Sequence, residues 1–137
     1  MSQIIAIDYG AKRTGVAATD DLQLIASGLT TLNTAELIPF LEKYISENKV
    51  EGFVVGQPKR MHGALSDIEE EIVVFLGKLK KSFPNIEIHR IDERLTSKMA
   101  FDTMLKSGIS KKKRQNKALV DKISATLILQ DFLNYRN

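Results

Sequence analysis

The residues of this chain best suited to chemistry are carboxylates placed where segments of structure should end. Asp8 closes the short apolar run Ile4–Asp8, and Asp92-Glu93 follows a second run, Ile86–Ile91. In open α/β sheets reacting groups gather at the carboxyl ends of strands. Plainer explanations stand beside that one. Asp8 before Tyr9-Gly10 reads equally as a turn residue, and Asp92 and Glu93 as first-turn acids favoured by a helix dipole. Asp121 is the sharper signal. Ala118, Asp121, Ala125, Ile128 and Phe132 recur at i, i+3, i+7, i+10 and i+14, one stripe of a helix on which every other member is apolar. A buried, unpaired carboxylate is costly, so a core Arg or Lys, a proton or a metal must compensate. The small neighbours Ser124 and Ala125 would let this helix approach a sheet closely, bringing Asp121 near the strand ends.

Convergence of Asp8, Glu93 and Asp121 would raise the pKa of each unless a cation joined them. Mg²⁺ and Mn²⁺ favour such all-oxygen sites, with Asp92 a further candidate ligand. Two ions about 4 Å apart would activate an attacking water and stabilise the leaving oxygen of an in-line displacement. That is the chemistry of phosphodiester hydrolysis, performed without Cys, His or Ser. The chain has no cysteine, which excludes a disulfide framework, a thiolate zinc site and a Cys nucleophile. His62 and His89 belong to no metal-spacing motif and read as surface or strand residues.

The net charge of +3 is modest, but its distribution is informative. Lys106 to Lys122 holds seven basic residues and one acid, Asp121. Within it, Lys111, Lys112, Lys113, Arg114 and Lys117 lie just before the helix bearing Asp121; they form either a solvated face or a surface that steers phosphates. Lys12, Arg13 and Arg94 are further phosphate-contact candidates. Aromatic interleaving is absent from the basic run, which argues against base stacking.

The elements that must position these residues follow from periodicity. Ile4–Asp8, Thr14–Thr19 and Leu24–Thr31 read as three strands with connections too short for helices, hence an antiparallel meander. Asn33 with Glu36 suggests a helix start, followed by Leu37, Ile38, Leu41 and Ile45 at helical spacing, with Pro39 early enough to be tolerated. Gly52–Gly56 reads as a short buried strand. Ser66 with Glu69 resembles a capping box opening a helix that ends before Pro84; Ile86–Ile91 is the fifth strand. A helix from about Thr96 to Gly108 and a final one from about Lys117 to Leu133 complete the order β-β-β-α-β-α-β-α-α. The expected fold is α/β: a mixed five-stranded sheet, an antiparallel three-strand meander plus two parallel strands, flanked by helices, in one domain spanning 1–137. No apolar run reaches membrane-spanning length and the N-terminus lacks the basic start of a signal peptide, so a cytoplasmic protein is expected.

Asp8-Tyr9-Gly10-Ala11-Lys12-Arg13-Thr14-Gly15-Val16-Ala17 resembles the N-terminal signature of the YqgF family, also called RuvX. Val54-Val55-Gly56-Gln57-Pro58 with Met61 and Gly63, then Asp92-Glu93-Arg94-Leu95-Thr96-Ser97, then the basic run and Asp121 through Gln130, extend that resemblance over nearly the whole chain in order. It implies an RNase H-like fold related to the RuvC Holliday-junction resolvases, and a metal-dependent nuclease that matures the 5′ end of 16S rRNA. A four-way DNA junction resolvase activity has also been proposed for the family. The family's acids fall on Asp8, Glu93 and Asp121, with Asp92 beside them. Gln57 stands where the family often has Leu, and Ser124 where Ala is usual. The strand ending at Gly56 carries no acid where related nucleases place their second carboxylate, so Glu93 must substitute.

Other readings remain at this level. An ATPase domain of the actin or sugar-kinase type also begins with a strand, Asp-x-Gly and a hairpin, but needs two lobes to close over ATP. A non-catalytic nucleic-acid-binding module could keep the fold. RNA and DNA are not separable from these residues, nor is monomer from homodimer.

Overall fold

Apolar runs too short for helices build the centre of the molecule. β1 (Gln3–Asp8) pairs antiparallel with β2 (Arg13–Thr19), which pairs antiparallel with β3 (Ala26–Asn33). On its other side β1 runs parallel to β4 (Val50–Gln57), and β4 runs parallel to β5 (Glu87–Asp92). The resulting five-stranded sheet has the order β3-β2-β1-β4-β5, so the expected mixed sheet is the one that forms. The structure, a computed structural model, describes residues 1–59, 67–106 and 116–136.

The central strands are continuously apolar because both faces are covered. Ile5, Ile7, Val16, Ala18, Phe53 and Val55 face one side. There they pack against Leu37 and Leu41 of α1 (Leu37–Glu47) and Ile72, Phe75 and Leu79 of α2 (Glu69–Ser82). The alternate residues Ile4, Ala6, Ala17, Val54 and Ile91 face Ala125, Ile128, Leu129 and Leu133 of the last helix. That helix, numbered α4 here (Lys117–Arg136), lies across β1, β2 and β3; α3 (Ser97–Lys106) packs beside it. Among the described residues no helix is long and apolar enough to cross a membrane.

One helix start differs from expectation, and the other lies partly outside the described residues. Asn33 remains in β3 and makes no side-chain cap; a 3-10 turn, Thr34–Glu36, precedes α1. The Thr34 hydroxyl instead donates to the Gly10 carbonyl at 2.6 Å and shares a 2.8 Å hydrogen bond with buried Thr14, tying the β1–β2 turn to the end of β3. Ser66 and Gly108 lie outside the described residues. Glu69 opens α2, but its carboxylate is committed elsewhere. It accepts from Arg90 Nη2 at 2.8 Å, from Arg90 Nη1 at 3.0 Å and from Gln57 Nε2 at 3.1 Å. A bidentate, charge-assisted pair outweighs a capping bond.

The Arg90 guanidinium also donates to the Val55 carbonyl at 3.1 Å and the Gly56 carbonyl at 3.0 Å. It therefore clamps the end of β4 while neutralising a carboxylate on a residue only 5% exposed. The Arg90 hydrogen bonds hold Glu69 below the usual carboxylate range, so this pair stabilises the fold at neutral pH and its contribution fades as acid is added. Arg90→Met is expected to cost on the order of 3 kcal/mol at pH 7, because Glu69 is left buried without its cation. Urea unfolding at pH 7 measures it. A change below about 1 kcal/mol would show that the pair contributes little.

Candidate active site

Asp8 is the last residue of β1, and its Cα partner across the ladder is Gly15 of β2. A Cβ on Gly15 would lie 2.0 Å from the backbone oxygen of Asp121, so α4 rests on bare strand backbone at this point. Buried Ser124 and Ala125 allow the same approach from the helix side. Asp121 is thereby set beside the end of β1. The apolar stripe that singled it out begins at Asp121 itself, since Ala118 is exposed, and continues through Ala125 and Ile128.

Glu93 reaches the same region from the other side. It follows β5 in a 3-10 turn, Glu93–Leu95, and its Oε2 lies 2.7 Å from where a Gly56 Cβ would stand. Gly56 sits on β4, one residue beyond Val55, which pairs with Ile7 of β1. A strand that carries no acid at this end has instead vacated the volume that an acid from its neighbour fills.

Two basic side chains stand among these acids. Arg13 Nε donates to Asp121 Oδ2 at 2.9 Å, with both groups partly exposed. Lys98, near the start of α3, lies 3.0 Å from Glu93 Oε1 and 2.8 Å from Asp102 Oδ2, its side chain only 14% exposed. Neither Lys98 nor Asp102 was among the residues expected from sequence. A signal existed: Lys98, Phe101 and Leu105 share a helical stripe, the pattern that drew attention to Asp121. Lys98, Glu93 and Asp102 line a cleft of about 190 Å³ together with Lys59 and Arg94.

A family model described as RuvX, Holliday junction resolvase, matches residues 2–135. The chain belongs to the RuvX family. Two relatives of this RuvX member carry the provisional name pre-16S rRNA nuclease. One, from Flavobacterium psychrophilum, is 56% identical over 97% of each chain. The other, from Bacteroides thetaiotaomicron, is 53% identical over 97% of this chain and 96% of its own. The solved structure of T. thermophilus RuvC in complex with a Holliday junction substrate superposes with a TM-score of 0.56. It covers 100% of this chain and 98% of that one at 13% identity, a likeness of fold.

Electrostatics distinguish the acids of this RuvX chain. Burial pushes the Asp8 carboxyl up to about 7; Lys98 opposes that rise, while Glu93, Asp121 and Asp102 add to it. For Lys98, burial would lower the ammonium, but Asp8, Glu93 and Asp102 together raise it well above the usual lysine range. Asp92 behaves differently. Its oxygens accept from Arg94 Nη2 at 2.7 Å, Arg94 Nε at 3.1 Å and the Arg94 backbone N–H at 2.9 Å, with Lys59 Nζ at 3.6 Å. The Arg94 side chain is the chief cause of its pKa falling to about 2. Asp92 thus caps the turn that aims Glu93.

Lys12 and Lys117 are exposed, while Lys111, Lys112, Lys113 and Arg114 lie outside the described residues, as does His62. His89 is a strand residue whose ring packs 5.2 Å from that of Phe132. Lys59, at the cleft, was not anticipated.

The donor set suits a hard divalent cation in kind: carboxylate oxygens only, on an Asp8 whose ionisation is opposed first by burial and then by the neighbouring acids. Among the described residues, no three acid or histidine side chains already close on one point. Lys98 and Arg13 hold oxygens that such a cation would need.

Proposed function

We propose that this chain is a metal-dependent nuclease that cuts the nucleic-acid backbone, and that its substrate is the 5′ region of pre-16S rRNA. One observation carries the reading. Asp8, Glu93 and Asp121, from segments far apart in sequence, are drawn to the ends of β1 and β4: Asp121 by the contact of α4 with Gly15, the ladder partner of Asp8, and Glu93 by the space that Gly56 leaves. The names of relatives at 53–56% identity support the choice of substrate.

Asp8, Glu93 and Asp121 are the residues that would hold Mg²⁺ or Mn²⁺. When bound, such an ion neutralises phosphate charge and lowers the pKa of a water. The chain's own groups do the rest. Arg13 fixes the Asp121 carboxylate, and Asp92 with Arg94 fixes the turn bearing Glu93. Lys59 and Arg94 at the cleft, with exposed Lys12 and Lys117, offer positive charge to phosphates on either side of the cut bond. The rigid backing of α4 on Gly15 keeps Asp121 in place through turnover.

A four-way DNA junction is the second reading, favoured by the description of the family. Cleavage assays on a pre-16S 5′ leader and on a four-way junction, with Mn²⁺ or with EDTA, test both. Glu93→Gln and Asp121→Asn are each expected to reduce cleavage about 10²-fold or more while leaving circular dichroism unchanged. EDTA is expected to abolish it. Cleavage that persists in EDTA would sink the metal reading, and preference for the junction would replace the substrate.

A further inference from the structure

Lys98 is an odd neighbour for carboxylates meant to hold metal ions. Its ammonium is mostly buried, with Glu93 at 3.0 Å and Asp102 at 2.8 Å, and it acts directly on Asp8. It reaches the cluster from α3, whose first turn is itself anchored: the Ser97 N–H donates to Asp131 of α4 at 2.6 Å, and the Thr96 hydroxyl donates to the Glu93 carbonyl at 2.8 Å. The lysine is thus delivered by a fixed helix start and is not a long side chain wandering on the surface.

Charge counting gives it a role. Asp8, Glu93, Asp121 and Asp102 bring four negative charges at most, and Arg13 answers Asp121. Two divalent ions in addition to Lys98 would leave the cluster strongly positive before any phosphate arrived. One divalent ion together with Lys98 balances it. We propose that the Lys98 ammonium occupies the place of a second cation, so that this site takes a single divalent ion and Lys98 supplies the remaining positive charge beside Glu93. The proposal rests on the metal reading above and narrows it from two ions to one. Lys98 is a positioning and charge-balancing residue, acting through Glu93 and Asp102.

Mn²⁺ titration of the full chain, followed by calorimetry and by the electron paramagnetic signal of bound Mn²⁺, tests this without any substrate. Wild type is expected to take one Mn²⁺ per chain, and Asp8→Asn to lose it. Lys98→Met, which keeps the buried stem without the charge, is expected to bind Mn²⁺ about tenfold tighter or more, or to accept a second ion, because a competing cation has gone. Lys98→Arg should retain the wild-type stoichiometry. Lys98→Gln serves as a second neutral variant if the methionine protein fails to fold. Two ions bound by wild type would overturn the proposal, as would unchanged or weaker binding in both neutral variants, which would make Lys98 only a brace for Glu93. If Asp8→Asn binds Mn²⁺ as wild type does, the metal reading itself falls, a result distinguishable from failure of the Lys98 role alone.

Discussion

Asp8→Asn is expected to raise the melting temperature of the metal-free protein at pH 8 while reducing cleavage by about 10³-fold or more. The two effects share a cause. Between the ordinary carboxylate value of 3.8 and about 7, the unfolded chain releases the Asp8 proton and the folded chain keeps it. Stability therefore falls as pH rises across that window and levels off above it. An amide in the same place carries no charge to desolvate and no repulsion from Glu93 or Asp121. Lys98 loses one neighbour but keeps Glu93 and Asp102. Allowing for relaxation around a crowded cluster, the gain is about 2 kcal/mol, or roughly 5–10 °C. Mn²⁺ should reverse the order, because it stabilises the wild-type protein and has lost its ligand in the variant. Melting curves at pH 5 and pH 8, with EDTA and with Mn²⁺, measure all of this. A variant no more stable than wild type at pH 8 in EDTA would mean that Asp8 carries little burden in the fold. Undiminished cleavage would remove it from the chemistry.

Such a trade explains why the acids were legible in the sequence while their partners were not. Asp8 follows an uninterrupted apolar run, and Asp121 interrupts an apolar stripe; both departures are local and visible in a single chain. The central strands were legible for the same reason, because β1, β2 and β4 are buried on both faces by helices of matching apolar stripe. The bond from Arg13 to Asp121 joins residues 108 apart in sequence, and no local pattern announces it. Lys98 was overlooked because a lysine four residues before an aspartate looks like an ordinary surface pair, which in part it is. The capping pattern at Asn33 misled because that residue stays in β3 and makes no side-chain cap. The lack of an acid at the end of β4 was legible as a gap; that the gap is a socket for Glu93 depends on the register of β4 with β1 and β5, which only the folded sheet sets.

Gly56 and Gly15 make that socket argument testable, because an added methyl group meets different obstacles at each. At Gly56 it would lie 2.7 Å from Glu93 Oε2 and 3.0 Å from Ile128 Cδ1, both ends of side chains that can rotate. Gly56→Ala is therefore expected to fold, at a cost of about 1–2 kcal/mol, while turning the Glu93 carboxylate out of its place. A displacement of about 1 Å at a reacting centre costs on the order of 10²-fold in rate, and cleavage should fall by at least that much. At Gly15 the methyl group would lie 2.0 Å from the backbone oxygen of Asp121 and 2.5 Å from its carbonyl carbon. Backbone of a packed helix cannot swing aside, so Gly15→Ala must lift α4 from β2. Its expected cost is about 3 kcal/mol or more, seen as a fall in melting temperature of roughly 10 °C or more. The contrast is the decisive measurement: a fold that stands with its activity gone at Gly56, against a fold that fails at Gly15. Pairing Gly56→Ala with Glu93→Asp shortens the acid by one methylene and should recover part of the lost rate. Wild-type cleavage by Gly56→Ala alone would show that the reaction does not need the Glu93 carboxylate above β4, and the second carboxylate would have to be sought elsewhere in the cluster, with Asp102 the next to test.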